Sequence, residues 1–174
     1  MLISKKMNAA INEQIGHEFT ASLQYIAISS FFTIESLPAL AGRFAQQARE
    51  EHDHALRFVK FVLDAGGRVE IPALPEPKAS FKNVEEAIQL SLNWENTVTR
   101  QINSLVALAI KESDYLTQNF LSWFTIEQLE EVSSMETLLK LVQRAGEGGL
   151  LYVENYLAGQ LKQTEAEAAS AGKA

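Results

Sequence analysis

The chain has 174 residues, 47% of them hydrophobic, enough to bury a core as one domain rather than remain disordered. It contains no cysteine, which removes disulfides, thiolate zinc sites and iron–sulfur clusters from consideration. A net charge of -7 disfavours nucleic acid as a partner and favours cations. No stretch reaches the ~18 apolar residues of a membrane span, and the start, MLISKKMNAAINEQ, has no apolar run of signal-peptide length. A cytoplasmic protein without membrane contact is expected.

Apolar spacing of three and four predicts five helices. The first covers roughly 5–35, with a seam of Ile11, Ile15, Glu18, Ser22, Tyr25, Ser29 and Phe32. A short turn follows, where Ser36 is the expected cap and Pro38 fits a first turn. The second helix carries Leu37, Leu40, Phe44, Gln47, Glu51, His54, Phe58 and Phe61, and stops near Ala65 at Gly66-Gly67. From Arg68 to Ser80 the chain holds Pro72, Pro75 and Pro77 and reads as an extended crossover. Asn83 is the expected cap of a third helix with Val84, Ile88, Ser91, Glu95, Val98, Ile102 and Leu105 on its seam. Asp114 is the expected cap of a fourth, with Leu121, Phe124, Gln128, Glu131, Met135, Leu138 and Val142. That helix runs to about Arg144, before Gly146, Gly148 and Gly149. A shorter fifth helix is expected from Leu150 to about Gln163. Residues 1–166 form one domain in this reading, and 167–174 a flexible tail.

Short links make the first two helices antiparallel, and likewise the third and fourth. The longer link, extended, reaches on the order of 50 Å, enough to travel back along a helix of roughly 40 Å. The third helix should therefore run parallel to the second. The expected fold is all-α: a four-helix bundle with a long crossover between helices two and three, and a short fifth helix.

Each seam is broken near its middle by an acid: Glu18, Glu51, Glu95 and Glu131, with His54 three residues after Glu51. At 1.5 Å per residue all four lie roughly 20–27 Å from their turns, and so at a common level. A single glutamate on an apolar stripe usually snorkels outward, and a lone Glu-x-x-His is common. Four interruptions at one depth need a shared cation, because a buried unpaired carboxylate is very costly. Carboxylates with few nitrogens suit iron(II) or manganese(II), although zinc can occupy such sites. Four negative charges balance two divalent ions, with Glu51 the expected bridge. Gln128 shares the three-residue spacing with Glu131. Glu50, Glu127 and Glu130 sit one step off the seams, either a solvated face or a place for a third ion. Tyr25 is either a core phenol or an electron donor to an oxidised centre. Trp123 is expected in the core, and His17 and His52 at the surface or a subunit contact.

The segments NEQIGHEFTASLQY, AREEHDHALRF, NWENTVTRQIN and FLSWFTIEQLEEV resemble the four metal-site segments of prokaryotic non-haem ferritins, in order and spacing, over residues about 5 to 165. The resemblance implies an iron store with ferroxidase activity that uses O2 or H2O2. Glu18, Glu51 and His54 would take one iron, and Glu51, Glu95 and Glu131 the second. Gln128 would stand as a polar neighbour, Tyr25 beside the pair, and Glu50, Glu127 and Glu130 at a third iron site. It further implies a hollow shell of 24 identical subunits. Gln128-x-x-Glu131 stands where bacterioferritins carry a second Glu-x-x-His. His52 stands where they place a haem-ligating methionine, so haem is not expected.

Overall fold

The computed structural model describes residues 1–171, and side chains through 160; the expected tail, 167–174, lies outside the described side chains and, from 172, outside the described residues. Among the described residues there are five α-helices: α1 Lys5–Ile34, α2 Pro38–Asp64, α3 Val84–Lys111, α4 Tyr115–Ala145 and α5 Leu150–Ala171. A single 3-10 turn, Glu147–Gly149, precedes α5, which continues past its expected end near Gln163.

The helix starts are chemically marked. Ser4 accepts from the Met7 N–H, Asn83 from Glu86 and Asp114 from Thr117, which satisfies otherwise orphaned donors. The expected cap at Ser36 is not formed. Ser36 instead takes a positive φ of 60° in the turn, and Leu37 at the N-cap makes no side-chain bond. The free donors of α2 are met from α5, where Glu154 accepts from the Ala39 and Leu40 N–H groups at 2.8 and 2.9 Å.

The crossover between α2 and α3 lies along α1. Asn8 and Asn12 bind the backbone at Arg68 and Glu70, and Gln24 exchanges two bonds with Lys78. Between these anchors Pro72 seats against Gly16 so closely that a Cβ at Gly16 would overlap its ring. The crossover thus climbs in the direction of α1, and Phe81 reaches Phe31 near the end of α1, ring centroids 5.1 Å apart. This route makes α3 antiparallel to α1 and parallel to α2, as the link length predicts.

Two apolar clusters fill the bundle. One contains Tyr25, Ile28, Phe32, Phe44, Ile88 and Leu138, joined by Val153 and Leu157 of α5. The other contains Met7, Ile11, Ile15, Phe58, Ile102 and Leu121. They are separate because a layer of buried polar side chains lies between them.

Candidate metal centre

That layer is built from one polar break per seam. Glu18 comes from α1, Glu51 and His54 from α2, Glu95 from α3, and Gln128 and Glu131 from α4, all buried. The i, i+3 spacing sets Glu51 and His54 on one helix face, and Gln128 and Glu131 on another. Ligand atoms of Glu18, Glu51 and His54 lie within 4.8 Å of one another, as do those of Glu51, Glu95 and Glu131. Glu51 belongs to both groups. His54 Nδ1 stands 3.4 Å from Glu51 and 3.9 Å from Glu131. The edges of Trp123 and Phe124 hold its ring, with centroids at 5.3 and 5.8 Å.

Burial works against charge on these acids. It pushes the Glu18 and Glu95 carboxyls up to about 8, with the Glu51 charge adding to each. Glu51 and Glu131 are raised well above the usual range, first by burial and then by Glu131 and Glu95 respectively. Tyr25, also fully buried, donates to Glu95, and its phenol is raised by burial and by that carboxylate. Glu18 Oε2 is buried with no hydrogen-bond partner. A cation is the species that could meet this oxygen and neutralise its neighbours together, so the residues present fit a divalent metal.

These observations meet those from relatives. A ferritin-like domain model matches residues 8–145. Ferritin BfrB of Mycobacterium tuberculosis is 44% identical over 153 residues, covering 88% of this chain and 84% of that protein. A bacterial non-heme ferritin of Staphylococcus aureus is 36% identical over 146 residues, covering 84% and 88%. An open pore ferritin from the hyperthermophilic archaeon Archaeoglobus fulgidus superposes with a TM-score of 0.87 at 33% identity, over 90% of this chain and 96% of that one. The chain belongs to the ferritin family.

In this ferritin the outer acids are placed differently from the inner four. Glu127 is half-buried and approaches His54 and Glu131 as a third group. Glu50 is half-buried and accepts from Gln46, whereas Glu130 is exposed; neither joins a three-residue group among the described residues. Trp123 is partly buried, with the Arg57 guanidinium 3.9 Å above its ring. His52 is exposed and edge-on to Phe19, and His17 is half-buried, which lowers its pKa.

Sequence reasoning missed the hydrogen-bond donors around the ligands. Gln14 donates to Glu18, and Gln47 to Glu51 and Glu131. The Thr99 hydroxyl lies between the Glu95 carbonyl at 2.8 Å and Gln128 Oε1 at 2.9 Å, and the Gln128 amide nitrogen faces Glu95 and Glu131. Gln128 thus stands as a donor to the Glu95 and Glu131 carboxylates. The available signal was a glutamine four residues before each of two ligand glutamates, the spacing of neighbours on a helix.

Proposed function

We propose that this ferritin oxidises iron(II) at an intrasubunit two-iron centre and stores the ferric product as mineral inside a shell, most naturally of 24 subunits. Glu51 carries the reading, because a single buried carboxylate serves both ligand groups. One iron would lie at Glu18, Glu51 and His54, the other at Glu51, Glu95 and Glu131. Each iron gives up one electron. Dioxygen takes two electrons and two protons to become hydrogen peroxide, or peroxide takes the same to become water. The carboxylates favour this direction, since four negative charges stabilise iron(III) more than iron(II). They release protons when iron binds, because only their ionised forms are ligands. Tyr25, donating to Glu95, would hold that carboxylate beside the pair. Glu127, Glu50 and Glu130 would receive a third iron or pass product onward. Leu151, Tyr152 and Tyr156 are exposed apolar side chains of α5 and supply a surface for contact between subunits.

Anaerobic iron(II) loading of the size-fractionated assembly, followed by an oxygen pulse, tests the proposal. Fast oxidation of about two irons per subunit, then slow growth of a far larger ferric core, is the expected course. Oxidation that stops at two would mean a two-iron oxidase or peroxidase without storage. Absence of a fast phase would reject the centre.

A further inference from the structure

Two glutamines outside the ligand pattern stand directly against the ligands. Gln14 on α1 precedes Glu18 by one helical turn and donates to its Oε1 at 2.9 Å. Gln47 on α2 stands in the same relation to Glu51, donating to Glu51 Oε1 at 3.2 Å and across the bundle to Glu131 Oε1 at 3.1 Å. Both are buried. Their reach differs. Gln14 touches a carboxylate of the first group alone. Gln47 touches two of the three carboxylates of the second group and bridges α2 to α4 between them.

We propose, resting on the reading that each group takes an iron, that these amides are positioning residues with separate assignments: Gln14 tunes the Glu18–Glu51–His54 group, and Gln47 the Glu51–Glu95–Glu131 group. Four carboxylates in one dry layer repel when ionised and would rotate apart or pair through protons. An amide N–H fixed on one oxygen holds the carboxylate in place and leaves the other oxygen for a cation. Glu18 shows this division: Oε1 is held by Gln14, and Oε2 is buried without a partner. Gln47 holds one oxygen of Glu51 and one of Glu131 and so sets their separation, while the second Glu131 oxygen accepts from Gln128. Outer hydrogen bonds of this kind orient metal ligands, and their loss lowers metal affinity by roughly 10–100-fold.

The test compares wild type with Gln14→Met and Gln47→Met, since methionine keeps the length of the side chain and lacks the donor. Crystals are soaked anaerobically in sub-saturating iron(II), and the two occupancies are refined from anomalous diffraction. Gln14→Met should lower the ratio of first-group to second-group affinity by about tenfold, and Gln47→Met should raise it by about tenfold. General loosening of the bundle would move both groups together. Ratios unchanged in both variants, or shifted in the same direction, would overturn the assignment. Wild-type crystals that bind no iron at either group would instead overturn the two-iron reading. If a methionine variant does not crystallise, the leucine variant at that position gives the same comparison.

Discussion

Two sets of glutamates lie side by side in this bundle under opposite conditions. Glu50 and Glu130 each adjoin an inner carboxylate in sequence, yet Glu50 is half-buried and Glu130 exposed, while Glu51 and Glu131 are buried. A rotation of one residue on a helix, about 100°, separates a carboxylate that water solvates from one that needs a counter-ion. The difference teaches that residue type alone does not make a ligand. The inner four repel one another and resist ionisation in the metal-free protein, a cost that a shared cation would offset.

The widest test of this contrast is kinetic. Glu51→Ala combined with His54→Ala should slow the fast oxidation phase at least ~100-fold, with the assembly intact by size-exclusion chromatography. Glu50→Ala, Glu127→Ala and Glu130→Ala together should change the first turnover by no more than about threefold and act mainly on later turnovers. Stopped-flow absorbance of the ferric product measures both. An equal collapse of the first turnover in the outer variant would erase the distinction between the sets.

A second test uses pH. Glu18 and Glu95 titrate near 8 in the folded chain, against an ordinary value of 4.5. Between those values the folded state binds more protons than the unfolded state, so stability falls as pH rises. This contribution is complete below about 4.5 and is lost as pH passes through 8. The Tm of the metal-free protein should therefore drop by roughly 5 °C or more between pH 5.5 and 8.5. Anaerobic iron(II) should reverse the trend, because the metal takes the ionised form and displaces the protons. A flat metal-free profile by calorimetry would mean that the inner acids are solvated like the outer ones.

How far the sequence reveals this layer follows from how local each signal is. Helical period puts Glu18, Glu51, Glu95 and Glu131 on buried seams, and 1.5 Å per residue puts them at one level, so the ligand groups are legible before any fold is drawn. Asn83 and Asp114 are legible as caps because a cap and its donors lie three residues apart. The α2 start is not, since its partner Glu154 is distant along the chain and meets it only after α5 docks. Gln47 is visible on its seam, but its bond to Glu131 depends on how α2 faces α4. The exposure of Glu130 beside buried Glu131 likewise depends on which flank of α4 the neighbouring helices cover.

Glu154 supplies the finest test, because it shares the burial of the inner acids and not their need. It is buried at 8% exposure, like Glu131, yet both oxygens accept backbone N–H groups at the α2 start. The positive end of the helix dipole adds to those bonds. Conversion of each acid to its amide should therefore act with opposite sign. Glu154→Gln turns one acceptor into a donor facing a backbone donor, and should destabilise the metal-free protein by about 1–2 kcal/mol. Glu18→Gln keeps an oxygen for the Gln14 amide and sets a donor beside Glu51 in place of a bare oxygen. At pH 8.5, where Glu18 carries charge, that change should stabilise the metal-free protein by about 1 kcal/mol while weakening iron binding. Chemical denaturation of the two variants at that pH reads both signs. Destabilisation by both would show that Glu18, too, is satisfied within the protein and that its layer requires no cation.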